Sequence, residues 1–204
     1  GDDVAIAGSE GEAGASENAN ALPVARQQET AAMTPVERLA AKADGKQWEL
    51  VENQRGITYY KLFGPYLAGA KKIVVEDAYV RKPYQLRNLA EFLEMLLRCK
   101  KPDEDVAVHL VTGHNDPGFV EAQLNGLNEL ASAFSQLGVN LTYEFRDTLH
   151  DRSITSDTGW EILPGRGLDI FQKIVDGDWL NPLLRHQQLR RVKECKVTYR
   201  RIER

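Results

Sequence analysis

The chain of 204 residues is long enough for one ordinary domain with some chain to spare. Its formal net charge is −4 at pH 7, and residues 1–46, with eight acidic against four basic side chains, account for all of it; the neutral remainder shows no broad basic field of the kind that marks a general nucleic-acid binder. No apolar run approaches the roughly 18 residues of a transmembrane helix, and the N-terminus lacks the basic-then-apolar order of a secretory signal, so a cytoplasmic location is expected.

The sequence opens Gly1-Asp2-Asp3 without an initiator methionine, which reads as a processed chain or a piece of a longer one. Residues 1–46 are rich in Ala, Gly, Glu, Ser and Asn. Such a composition buries too little apolar surface to offset ordering entropy, so a disordered acidic linker is expected there. "TPVERLAAKA" within it suggests a weak helix, with Thr34 as cap and Pro35 at the first helical position. The first aromatic residue is Trp48, and a folded domain is expected over 47–204.

Tyr60, Phe63 and Leu67 recur at helical spacing in "GITYYKLFGPYLAGA", an amphipathic segment. The β-branched run "KKIVVEDAYV" (71–80) predicts a buried strand. "PYQLRNLAEFLEMLLRCK" (83–100) predicts a helix with one apolar stripe and Pro83 at its start. A second strand follows at 105–113, a second helix at 118–138 closed by Gly138, and a third strand at 139–146. The β-α-β-α-β order predicts a layered α/β domain with a mixed, mainly parallel sheet and flanking helices. Residues 154–163 read as a hairpin turning at "SDTG", "GLDIFQKIV" as a short helix, and "ECKVTYRRI" as an edge strand with its basic residues outward.

Cys99 and Cys195 form no CxxC pair and have no zinc spacing, and neither a metal nor a cofactor is expected. Both adjoin basic side chains, which leaves two readings: thiols of depressed pKa, or ordinary reduced thiols.

Ligands of α/β sheets bind beyond the carboxyl ends of the strands. There the first strand releases Asp77, Arg81 and Lys82, with Arg87 following in the helix. The second releases His114, Asn115 and Asp116. The third releases Arg146, Asp147, His150, Asp151 and Arg152. Basic residues gathered at one edge suggest an anion site, although strand ends are polar wherever loops meet water.

His150, Arg152 and Asp157 stand at spacings 0, 2 and 7. A phosphodiesterase of the phospholipase D type needs a histidine nucleophile, a lysine two residues on and an acid further along, in two copies. One such set is present, with Arg in the Lys place; His109, His114 and His186 lack the pattern, so a second copy would have to come from a homodimer. On a strand His150 and Arg152 would face one phosphate together. The alternative is a hydrogen-bonded hairpin histidine. Gly165-Arg166-Gly167 either brings backbone N–H groups to a phosphate at a helix start, with Arg166 assisting, or supplies a turn of positive φ.

Taken together, "LHDRSITSDTGWEILPGRGLDIFQ" resembles the signature of the phospholipase D-like domain at the C-terminus of MIT-domain proteins of the ESCRT system. The similar pieces are His150-Asp151-Arg152, Gly159-Trp160 and Gly165 to Asp169, joined by "LFGPYL", Asp77-x-Tyr79-x-Arg81 and the segment from Gln85 to Leu89. The resemblance covers about residues 55–204. It implies a homodimeric phospholipase D-like fold that in eukaryotic members associates with membranes and phosphoinositides without demonstrated catalysis. In prokaryotic chains it implies a preceding AAA+/Lon-like ATPase portion, as in BREX-type phage-defence proteins.

The expected function is a non-catalytic, phosphate-recognising interaction and dimerisation module, gripping nucleic acid or an anionic phospholipid head group through Arg81, Arg87, His150, Arg152 and Arg166. The rival is a dimeric phosphodiesterase or nuclease in which His150, Arg152 and Asp157 of each subunit are catalytic. A third reading is a scaffold whose apolar dimer surface comes from Tyr59, Tyr60, Phe63 and Tyr66.

Overall fold

The computed structural model describes residues 33–174 and 180–203. Helix α1 (Pro35–Ala40) opens on a capping box: the Glu37 N–H donates to Thr34 Oγ1 at 3.2 Å, and the Thr34 N–H donates to Glu37 Oε2 at 2.8 Å. Its Val36 and Leu39 are buried in the main core, so the packed unit begins at Thr34 rather than near residue 47. The part of the expected linker that precedes Met33 lies outside the described residues.

Strand β1 (Trp48–Leu50) leads to two short helices, α2 (Tyr59–Leu62) and α3 (Gly64–Leu67), which carry the expected amphipathic segment. Strand β2 (Lys72–Asp77) buries Ile73, Val75 and Asp77, while Lys72 and Val74 are exposed. Helix α4 (Pro83–Cys99) packs Leu89, Phe92, Leu93 and Leu96 so that none is more than 1% exposed. Each such side chain contributes roughly 1.5–3 kcal/mol by leaving water. Strand β3 (Val106–Thr112), helix α5 (Val120–Ser135) and strand β4 (Val139–Phe145) complete two crossovers in the same direction, which places both long helices on one face of the sheet.

The chain then returns beside β2. Strands β5 (Arg152–Ser156) and β6 (Trp160–Pro164) form the expected hairpin, and after helix α6 (Pro182–Arg185) strand β7 (Cys195–Arg201) pairs with β6. The strand order is β1-β7-β6-β5-β2-β3-β4. The sheet is mixed, with its parallel part confined to β2, β3 and β4; the other four pairings are antiparallel because the hairpin and β7 fold back against β2 rather than crossing over.

Three sequence expectations are corrected here. Strand β7 is not an edge, because β1 covers its far side through the pair Glu49 and Lys196. The described part of "GLDIFQKIV", residues 167–174, forms no helix: it is a turn leading to a bridge between Phe171 and Val192, and its last residue, Val175, lies outside the described residues. Its apolar residues Leu168, Ile170 and Phe171 serve the core. The scaffold surface proposed from Tyr59, Phe63 and Tyr66 is also overturned, since these side chains are 0%, 0% and 3% exposed. The Tyr59 hydroxyl donates to the Leu168 carbonyl, and Tyr66 stacks on Tyr199 at 3.8 Å between ring centroids.

Candidate functional site

The carboxyl ends of β2 and β3, the start of β5 and the end of β6 meet at one rim of the sheet, where the register sets Asp77 opposite Arg152. Asp77 is 3% exposed. Its carboxylate accepts the Tyr79 N–H at 3.0 Å and the Leu168 N–H at 3.1 Å, with Arg152 Nε 3.9 Å away. Burial nevertheless outweighs these favourable partners and holds the Asp77 carboxyl above the usual carboxylate range.

Arg152 Nη1 donates to the Gly165 carbonyl at 3.0 Å, and among the described residues its Nε is sealed from solvent without a hydrogen-bond partner. Its guanidinium lies 4.6 Å from the ring centroid of Tyr79, and that of Arg81 lies 5.3 Å from the same centroid. Tyr79 is 48% exposed while Arg81 and Arg152 are half-buried, so an aromatic face stands at the surface with two guanidinium groups beside it. Arg81 is fixed by donation from Nε to the Ala78 carbonyl at 2.7 Å and lies against Gly113, where a Cβ would sit 2.3 Å from its Nη2.

The Gly165-Arg166-Gly167 turn supports the second of its two readings. Gly167 has φ +61°. The N–H groups of Gly165, Gly167 and Asp169 donate to the carbonyls of Lys196, Pro164 and Arg166, and that of Leu168 goes to Asp77. With these N–H groups used and no helix following, the turn does not form the expected phosphate cradle. It closes on the protein's own carboxylate.

The other predicted residues are distributed around this rim. His150 precedes β5 in an exposed loop, so it does not share a strand face with Arg152. Arg166 turns toward β7 and donates from Nε to the Glu194 carbonyl at 3.2 Å. Arg87 lines a cleft beside the first turns of α4. Asp157 lies at the opposite end of the hairpin, accepting the Lys71 N–H at 3.0 Å. Five strand positions separate it from Arg152, roughly 16 Å, so the spacing of His150, Arg152 and Asp157 does not assemble a triad. Neither thiol is activated: burial pushes Cys99 up to about 12 and raises Cys195 as well, in spite of nearby arginines.

Sequence reasoning missed Tyr79 as a ring between cations and Asp77 as the internal anion. The alternation Asp77-x-Tyr79-x-Arg81 was the available signal.

A mixed sheet with two parallel crossover connections, a hairpin returning beside β2 and a basic rim at the strand ends is consistent with an α/β domain of the phospholipase D-like kind. Residues 56–201 match the family model MIT_C, the phospholipase D-like domain at the C-terminus of MIT, and the chain belongs to that family. It is similar to the mouse (Mus musculus) MIT domain-containing protein 1, with 39% identity over 137 residues, 65% of this chain and 54% of that protein. The chain thus spans about half the length of that curated relative. No described helix is long and apolar enough to cross a membrane.

Proposed function

We propose that this chain is a non-catalytic interaction module that recognises a phosphate group, on a lipid head group or a nucleic acid, through the rim formed by Tyr79, Arg81 and Arg152. The observation that carries the reading is the placement of two guanidinium groups over one exposed ring. Arginine pairs with phosphate in two-pronged geometry, and an aromatic face beside it adds cation–π and stacking contact. His150 and Arg166 flank the rim, where the Arg166 guanidinium adds local positive potential. Catalysis is disfavoured because Asp157 lies at the other end of β5 and the buried Asp77 carboxylate already faces Arg152.

Dimerisation belongs to the same reading, through a surface other than Tyr59, Phe63 and Tyr66; sedimentation of the chain tests it. The narrower setting, a Lon-like ATPase upstream and a role in phage defence, is tested by the reading frame before Gly1. A nucleotide-binding motif there supports it, and an MIT-like helical segment overturns it.

Binding of the full chain to vesicles with and without anionic lipid, and to short single-stranded DNA, measures the central claim and separates the two phosphate sources. Arg81→Ala combined with Arg152→Gln abolishes binding at low salt, with folding checked by circular dichroism. Unchanged binding in a folded double variant removes the rim as the site.

A further inference from the structure

A cleft of about 1030 Å³ opens next to the rim, between the first turns of α4 and the stretch 169–174, and none of Tyr79, Arg81, His150, Arg152 or Arg166 lines it. The volume suits a small organic ligand. Its polar content is uneven in an informative way. Three side-chain amides are buried among the described residues, Gln85, Asn88 and Gln123. Gln85 accepts the N–H groups of Arg81 and Lys82, at 3.1 and 2.9 Å. Gln123 accepts the Asn115 N–H at 2.8 Å and donates to the carbonyls of Val80 and Gly113, each at 2.9 Å.

Asn88 lines the cleft, is 6% exposed, and has no hydrogen-bond partner among the described residues. Among the described residues its amide is not closed to solvent, and it lies on the cleft wall. An unpaired buried amide is costly where an apolar side chain would pack as well.

The charges are uneven too. Arg190 and Lys193 line the cleft but are committed, Arg190 to Glu91 at 2.7 and 2.5 Å and Lys193 to Asp169 at 2.8 Å. Lys82, Arg87 and Lys173 make no ion pair among the described residues, against the one lining acid without a cation, Asp116. Tyr84 and the exposed Phe119, at 61%, add ring surface. The cleft thus combines a neutral donor–acceptor amide, aromatic faces and surplus positive charge.

We propose that this cleft binds a nucleoside monophosphate. The Asn88 amide reads the donor–acceptor edge of the base, Tyr84 or Phe119 packs on the base ring, and Lys82, Arg87 and Lys173 take the phosphate. The site does not depend on the rim.

The test is titration of the ¹⁵N-labelled full chain with adenosine and guanosine 5′-monophosphates, with inorganic phosphate as the comparison. At least one nucleotide gives saturable shifts at the Asn88 side-chain amide and Phe119, with affinity at least about tenfold above that of phosphate. Asn88→Leu removes the unpaired amide, so it keeps or raises the thermal midpoint while weakening the nucleotide at least about tenfold. Arg87→Ala weakens the binding read at Asn88 and Phe119. The proposal is overturned if neither nucleotide saturates, if phosphate binds as tightly, or if Asn88→Leu binds like the parent chain. A lowered midpoint in Asn88→Leu also overturns it, by making the amide structural.

Discussion

At Asp77 two backbone N–H groups and a guanidinium surround a carboxylate that has lost nearly all contact with water. Burial raises its titration point in the folded state above the ordinary value near 4. The folded protein therefore binds the proton more tightly than the unfolded chain does. The resulting stability is fully present below the unfolded value and is lost as pH rises through the folded one. Urea denaturation from about pH 4 upward is expected to show the parent chain losing stability relative to Asp77→Asn. A flat difference would mean that the N–H donors and Arg152 cancel the cost of burial. Gly167 is the other constrained residue of the rim. It sits at φ +61°, and a Cβ there would lie 2.0 Å from Asp77 Oδ2. Gly167→Ala is expected to cost at least about 2 kcal/mol in denaturant unfolding. Gly118→Ala is the matched control, because nothing lies within 4 Å of its added Cβ.

Among the elements, the hairpin of β5 and β6 decides how the sequence motif should be understood. Spacing along a chain says how many residues separate two groups; an extended strand then carries them apart at about 3.3 Å per residue. Asp157→Ala therefore removes only the acceptor for the Lys71 N–H, a loss of about 0.5–1.5 kcal/mol, and leaves anion binding at the rim intact; vesicle or DNA binding by this variant checks it. The long amphipathic helices and β-branched strands were legible because their periods report burial directly. The segment "GLDIFQKIV" misled because the spacing of Leu168, Phe171 and Ile174 also fits a helix, whereas Leu168 and Phe171 fill the core from an irregular turn. Strand β1 was invisible at three residues. Helix α1 was underrated because its composition is that of a linker, while two side chains, Val36 and Leu39, tie it to the core. Leu39→Ala is expected to cost about 2–3 kcal/mol in urea unfolding, a loss that a helix outside the core would not show.

For the molecule as a whole, the convergence of distant residues was partly legible. Arg81 follows the end of β2, and the antiparallel β5 opens with Arg152 at the same rim; the alternation Asp77-x-Tyr79-x-Arg81 sets Tyr79 near Arg81 but does not say that Arg152 meets the same ring. Charge is the property that acts over the full length. Residues 1–33 hold six acidic side chains and one basic, a net −5, so a chain starting at Thr34 carries a formal +1 in place of −4. On the proposed reading, the negative charge of residues 1–33 opposes the anions that the rim would bind, over a distance set by screening. Removing it is expected to tighten binding to anionic vesicles at low salt. With two guanidinium contacts, the slope of log affinity against log salt is expected to lie at about −1 to −2 in the truncated chain. Replacing Arg81 in that chain should make the slope shallower by about one contact's share. If truncation leaves low-salt affinity unchanged, or the slope ignores Arg81, the rim does not carry the binding.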